Sequence, residues 1–198
     1  MSPRPDVSEE RKNQILDAAM ETFSEVGFHK ARMSDIAESS GLSKGSLYWY
    51  FESKNDLINN LLARVFEPEI KDLRTLLTDP RPVAERLMVY AERGAEDMVK
   101  MLKWTPLVYD FIALAFRQEF IKNSIRKYYQ QNMDILEQLI QQGLDSGELK
   151  AQSARKAAVT IGSMLEGTVV LWIYEPDGID IMKSILANME LLLDGLAA

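Results

Sequence analysis

The chain has 198 residues, of which 46% are hydrophobic and 27% are charged, a composition typical of a folded globular protein. It contains no cysteine and one histidine, which excludes thiolate sites and disfavours catalytic triads and zinc sites, so we expect no enzyme, metal or cofactor. The net charge of −7 argues against an extended nucleic-acid-binding surface, although residues 27–54 carry four basic and three acidic side chains.

Apolar residues recur at the helical period along nearly the whole chain, which predicts an all-α protein of about nine helices. Residues 1–8 are expected to form a flexible arm, with Ser8 capping the first helix and Gly27 ending it. Two very short helices are expected next, over about 33–39 and 44–50, separated by a Ser-Gly-Leu-Ser turn.

A fourth helix is expected from Ser53, whose hydroxyl can cap it while Asp56 lies three residues later. We expect Pro68 to bend or end this helix. The remaining helices are expected over about 82–102, 107–117, 119–144, 153–174 and 180–195.

No stretch approaches the roughly 18–20 uninterrupted apolar residues of a membrane span. The N-terminal residues also lack the apolar core of a secretory signal. We therefore expect a cytoplasmic protein that does not associate with a membrane.

The two short helices with their tight turn have the arrangement of a helix-turn-helix. Ile36, Ala37, Leu42 and Leu47 supply the apolar contacts between them, which leaves the outer face of the second helix free to enter a major groove. Three consecutive aromatic residues, 48–50, cannot all face the core because neighbours lie about 100° apart on a helix.

The segment from Gly27 to Leu57 resembles the DNA-binding domain of the TetR family of transcriptional regulators. The matching residues are Gly27, Phe28, Ile36, Ala37, Gly41, Leu42, Ser43, Gly45, Ser46, Leu47, Tyr48, Tyr50, Phe51, Ser53, Lys54 and Leu57. One departure is Arg32, which stands where the family often has a capping Ser or Thr, and for which we expect a phosphate contact instead. The other DNA contacts that the resemblance implies are Ser43, Lys44, Gly45, Ser46, Tyr48, Trp49, Tyr50 and Lys54.

The resemblance also implies two domains, a helix-turn-helix domain over 1–53 and an effector-binding and dimerisation domain over 54–198. Relatives hold a small, mainly apolar effector among the helices of the second domain. The candidate ligand-binding residues are Met88, Tyr90, Trp104, Tyr109, Phe116, Phe120, Met133, Met164, Glu166 and Trp172. Such apolar residues are more often plain core, and Glu166 meets a ligand, bonds internally or lies at a polar edge.

The last two predicted helices carry broad apolar faces, and the resemblance implies that they pair with their symmetry mates in a homodimer. We therefore expect a ligand-responsive repressor that binds a pseudo-palindromic double-stranded operator and is released by a hydrophobic or aromatic effector. The fourth helix is expected to transmit the conformational change from the effector to the DNA-binding domain. Residues 1–54 hold seven basic and nine acidic side chains, which favours an alternative, a helical small-molecule-binding protein without operator binding. An enzyme on a helical scaffold is a third and weaker hypothesis.

Overall fold

Residues 5–197 are described by a computed structural model, in which they form nine α-helices and a short 3-10 turn. This confirms the predicted all-α class. The helices are α1 (Pro5–Val26), α2 (Met33–Ser39), α3 (Lys44–Tyr50), α4 (Lys54–Thr75), α5 (Val83–Met101), α6 (Thr105–Ala115), α7 (Glu119–Ser146), α8 (Ala154–Tyr174) and α9 (Ile181–Leu196).

The chain divides into two compact units, and the first comprises Met1–Glu67 and Trp104–Arg126. Its core contains an aromatic cluster of Phe23, Phe28 and Phe111, each less than a tenth exposed. The Phe111 ring of α6 lies 6.3 Å from that of Phe23 and 5.9 Å from that of Phe28. Packing therefore joins α6 to the same core as the helix-turn-helix, although the two are far apart in sequence.

The second unit comprises Pro68–Lys103 and Lys127–Ala198, and its core is built mainly from α5, α7, α8 and α9. The buried Arg86 donates from Nη1 to the carbonyl of Leu76 at 3.0 Å and to Oε1 of Gln142 at 2.7 Å. A Cβ atom added at Gly143 would lie 2.6 Å from Cδ1 of Leu149, so a larger residue at this position of α7 would displace the buried Leu149 side chain. These contacts fix the ends of the helices in the second unit.

The predicted boundary at 53/54 does not coincide with this division, which falls inside α4 and α7. The packing-based units and the predicted functional domains are different divisions of the chain. The end of the DNA-binding domain at residue 53 stays a prediction.

The N-terminal expectation was partly wrong. Helix α1 begins at Pro5, so Ser8 lies inside the helix and does not cap it, and residues 5–8 are not an arm. Proline is tolerated in the first turn because the amide that it lacks would have no partner there. Residues 1–4 of the expected arm lie outside the described residues.

Pro68 does not end α4, which continues to Thr75. A proline inside a helix removes one backbone hydrogen bond, but burial of the residues beyond it offsets this cost. Ile70, Leu73 and Leu76 lie in the core of the second unit, at most 7% exposed. Tertiary packing thus overrides the local preference of proline.

Helix α8 is, within residues 5–197, the one helix long and apolar enough to span a membrane by length and composition alone. One of its faces, which includes Ala158, Ile161 and Leu165, is buried in the core of the second unit. Burial of one face is typical of a helix that covers one side of a core.

Candidate functional site

The first helix of the predicted helix-turn-helix, α2, is capped by its own third residue. The Oδ2 atom of Asp35 accepts a hydrogen bond from the backbone amide of Arg32 at 2.9 Å, which is half of a capping box. A guanidinium group has no acceptor, so Arg32 cannot supply the other half. Its side chain is exposed, and the phosphate contact expected for it stays a prediction.

The turn between α2 and α3 depends on one glycine and one long-range hydrogen bond. Gly41 has a φ of +67°, a conformation that other residues adopt at a cost. The side-chain amide of Gln14 on α1 donates to the carbonyl of Ser40 at 2.6 Å. Helix α1 therefore fixes the angle at which α3 leaves the turn.

Helix α3 begins with a side-chain cap and is anchored by one buried residue. The backbone amide of Ser46 donates to Oγ of Ser43 at 3.1 Å, and the two hydroxyls lie 2.9 Å apart. Leu47 is fully buried, whereas the side chains before it are exposed. This single anchor holds α3 against its scaffold while its outer face stays open.

The three consecutive aromatic residues, 48–50, do not all face the core, as their helical spacing requires. Tyr48 is 44% exposed and Trp49 is 62% exposed. The rings of Trp49 and Tyr50 meet edge to face with centroids 4.6 Å apart, which restricts the rotamers of Trp49. Two aromatic side chains are therefore presented on the outer face of α3, where they can contact a base methyl group or a phosphate.

Lys44 and Gly45, in the first turn of α3, also allow a ligand to approach the helix closely. Lys44 is exposed at the start of the helix, where its charge can meet a phosphate. A Cβ atom added at Gly45 would meet nothing nearer than Oγ of Ser43 at 3.9 Å. The space around Gly45 is therefore open, and the backbone of α3 is accessible at this position.

Lys54 has a structural role that we did not predict. Its Nζ atom donates to the carbonyls of Phe28 at 2.6 Å and Ala31 at 3.0 Å, and lies 4.2 Å from the centre of the Phe28 ring. Burial lowers the pKa of the Lys54 ammonium. Lys54 thus fastens the start of α4 to the segment between α1 and α2, and its third N–H is the one left for the predicted phosphate contact.

Separate alanine substitutions of Lys44 and Lys54 should distinguish a phosphate contact from a structural role. Lys44→Ala is expected to weaken operator binding by about threefold and to reduce the slope of log K against log salt by about 1. Lys54→Ala is expected to weaken binding by about tenfold, because two carbonyls lose a charged donor, with an unchanged slope. Gel shifts over a salt series measure both, and an equal loss of slope in the two variants would make Lys54 a phosphate contact.

The ten candidate ligand-binding residues are divided between the two units. Trp104, Tyr109, Phe116 and Phe120 belong to the first unit, and Phe116 is 87% exposed. In the second unit Tyr90 and Met133 are buried in the core, and Glu166 is exposed. The other members of that unit, packed against its core while partly exposed, are Met88, Met164 and Trp172.

Asn132, which pairs with the candidate residue Tyr90, and Glu69 are two polar residues of this unit that sequence reasoning missed. The buried hydroxyl of Tyr90 donates to Oδ1 of Asn132 at 3.1 Å, and burial raises the pKa of Tyr90 to about 12. Glu69 is half-buried, and burial, with a smaller effect of Asp97, raises its pKa to about 7 against the opposing charge of Lys100. Glu69 lies four residues after Val65 on the apolar stripe of α4, a spacing that would have revealed it had α4 been extended past Pro68.

The titration of Glu69 predicts a pH-dependent change in stability. Its pKa is higher in the folded chain than the ordinary value of 4.5, so its contribution to stability is complete below about pH 4.5 and is lost as the pH rises through 7. Glu69→Gln should therefore raise the unfolding temperature relative to the parent at about pH 8 and leave it unchanged at about pH 4. Thermal unfolding at both pH values tests this, with the exposed Glu67→Gln as control, and an equal difference at both values would contradict it.

Comparisons with known proteins agree with this geometry. A model of the bacterial regulatory proteins of the tetR family matches residues 15–61, and a model of the C-terminal part of BetI-type transcriptional repressors matches residues 95–196. The fatty acid metabolism regulator protein of Bacillus subtilis is 27% identical over 92% of this chain and 94% of its own length. These relatives are transcriptional regulators rather than enzymes.

Two solved structures show the same fold. The transcriptional regulator FadR of Bacillus subtilis in complex with stearoyl-CoA superposes with a TM-score of 0.75 and 24% identity, covering 92% of this chain and 98% of that one. The SmeT–triclosan complex superposes with a TM-score of 0.80 and 18% identity, covering 96% and 92%. SmeT represses a multidrug efflux pump of Stenotrophomonas maltophilia.

Proposed function

This chain belongs to the TetR family of bacterial regulatory proteins, and we propose that it represses transcription as a homodimer on a pseudo-palindromic operator. As a member of that family it is a ligand-responsive, DNA-binding transcriptional regulator. The proposal concerns its contact residues, its dimer interface and the class of its effector. A cytoplasmic location is part of the same proposal.

The exposed outer face of α3 is the observation that carries the DNA-binding proposal. Leu47 is fully buried and anchors the helix, whereas the side chains of Tyr48 and Trp49 project into solvent. Adjacent exposed aromatic side chains on a short, capped helix indicate an interaction surface, because aromatic residues are enriched where interfaces bind most strongly. We assign the base contacts to Trp49 and Gly45 and the phosphate contacts to Lys44 and Tyr48.

Helices α8 and α9 support dimerisation through the second unit. Each buries one face in that unit and leaves large apolar side chains exposed on another, namely Val159, Leu171, Ile173, Tyr174 and Leu191. Leu191 is 71% exposed and Leu171 is 58% exposed. An isologous pairing of α8 and α9 with their symmetry mates would bury this surface and place two copies of α3 on one operator.

The effector proposal rests on chemistry shared by the relatives. FadR of Bacillus subtilis was solved with stearoyl-CoA and SmeT with triclosan, and each of these ligands has a substantial apolar part. The partly exposed methionine and tryptophan side chains beside the core of the second unit suit such a ligand. We propose a mainly apolar effector that favours a conformer with lower operator affinity.

Selection of DNA sequences by the purified protein, followed by gel shifts over a salt series, tests the proposed function. We expect a sequence-preferring complex whose affinity falls with salt. Residues 1–54 hold seven basic and nine acidic side chains, a net charge of −2, which favours selective binding over tight non-specific binding. Absence of any sequence-preferring complex would instead favour a helical small-molecule-binding protein without operator binding.

A further inference from the structure

A groove of about 430 Å³ lies in the first unit, where the end of α6 meets the start of α7. Its lining combines two kinds of residue. The apolar ones are Ile112, Ala115, Phe116 and Ile125, and the polar ones are Arg117, Gln118, Glu119 and Lys122. The volume lies within the range of small-molecule sites, roughly 300–1,000 Å³.

An exposed apolar stripe leads along α6 to this groove. Val108, Ile112 and Phe116 follow one another at intervals of four residues and therefore share one face of the helix. They are 38%, 41% and 87% exposed, and Phe116 is the most exposed large hydrophobic residue in the described chain. A stripe of this kind on an otherwise acidic protein indicates a surface that is covered in use.

The polar side of the groove is positively charged. The groove lining holds two basic side chains, Arg117 and Lys122, and one acidic side chain, Glu119, in a chain whose net charge is −7. Glu119 contacts Lys122 at 3.6 Å, but both are more than half exposed, so water screens this pair. Arg117 makes no side-chain ion pair or hydrogen bond with any residue from 5 to 197, and the first turn of α7 adds the positive end of a helix dipole.

We propose that this groove binds an amphipathic anion, a small molecule with an unbranched apolar chain that ends in a carboxylate or a phosphate. The chain lies along Ile112 and Phe116, and the anionic group meets Arg117 and Lys122. The apolar surface without the charges would accept any lipophilic molecule, and the charges without the apolar surface would accept any anion. Their adjacency selects the molecule that carries both.

This inference deepens the proposed function, because it names an effector class and places it at Phe116, one of the predicted ligand-binding residues. Binding is measured on the protein without DNA. If the protein does not bind an amphipathic anion, the proposal for this groove is wrong and the proposed operator recognition is unaffected. If the protein selects no operator, anion binding still tests the proposal for the groove.

Isothermal titration with probes of one chain length and different head groups is the direct experiment. The probes are dodecanoate, dodecyl phosphate, dodecanol and dodecyltrimethylammonium, each below its micelle concentration. Both anions are expected to bind at least about tenfold more tightly than dodecanol and the cation. The ratio of the affinities for dodecanoate and dodecyl phosphate shows whether the groove prefers a carboxylate or a phosphate. Equal affinity for all four probes would overturn the proposal.

Two variants and a matched control locate the site. Arg117→Gln is expected to weaken dodecanoate binding by about tenfold and leave dodecanol binding unchanged, while Phe116→Ser should weaken both. Both side chains are exposed, so the fold should be retained, which thermal unfolding checks. Arg126→Gln removes a cation that does not line the groove and should change neither. Unchanged binding in the first two variants, or a changed oligomeric state in Phe116→Ser, would overturn the assignment.

Discussion

Leu191→Glu is expected to convert the homodimer into monomers and to lower operator affinity by at least about a hundredfold. The side chain is 71% exposed on α9, so the charge should cost little within one chain. In an isologous interface each copy would bring a buried, unpaired carboxylate against the other. Monomers bind each half-site alone and lose the effective concentration that a linked second half-site provides.

Analytical ultracentrifugation at micromolar concentration, together with gel shifts on the selected operator, measures both effects. The matched control is Val99→Glu, which introduces the same charge at an apolar residue that is 44% exposed on α5. It should leave the dimer intact. A dimeric Leu191→Glu protein with normal operator affinity would show that this face of α9 is not the interface.

Trp49→Ala should be the most damaging truncation of an exposed side chain on α3. A hot-spot aromatic side chain at an interface costs about 2 kcal/mol or more when truncated, which corresponds to a loss of operator affinity of at least about thirtyfold. Because Trp49 is 62% exposed, the unfolding temperature should change little. Trp49→Phe keeps an apolar ring and should recover part of the affinity.

The control for general aromatic truncation is Tyr129→Ala, since Tyr129 is 46% exposed on α7 and lies outside the helix-turn-helix. Fluorescence anisotropy with labelled operator gives the affinities of all three variants. If Trp49→Ala binds the operator as tightly as the parent protein, the base contacts do not come from this face of α3.

The helix-turn-helix was predictable because its determinants are local. Caps, glycines and apolar spacing act over a few residues, and α2 and α3 have the predicted bounds. Ser43 caps α3 as expected, and Ser53 accepts from the amide of Asp56 at 3.1 Å. That the three aromatic residues 48–50 do not all face the core followed from helical geometry alone, whereas the choice of Trp49 came from the family resemblance.

The rest depends on contacts between distant residues. Lys54 is a typical phosphate-binding residue in sequence terms, yet its ammonium is held by carbonyls that precede it by 26 and 23 positions. The pairing of Tyr90 with Asn132, 42 positions apart, has no local signal either. The expectation that Pro68 could end α4 was wrong because burial of the residues after it outweighs one missing hydrogen bond.

The aromatic cluster of the first unit has a consequence for biosynthesis. A ribosome completes the helix-turn-helix well before it reaches Phe111, whose ring covers both Phe23 and Phe28. Residues 68–103, which belong to the second unit, are made in between. In the nascent protein the Phe23 and Phe28 rings therefore lack this contact until α6 emerges, and chaperones and proteases have access to the uncovered apolar surface during that interval.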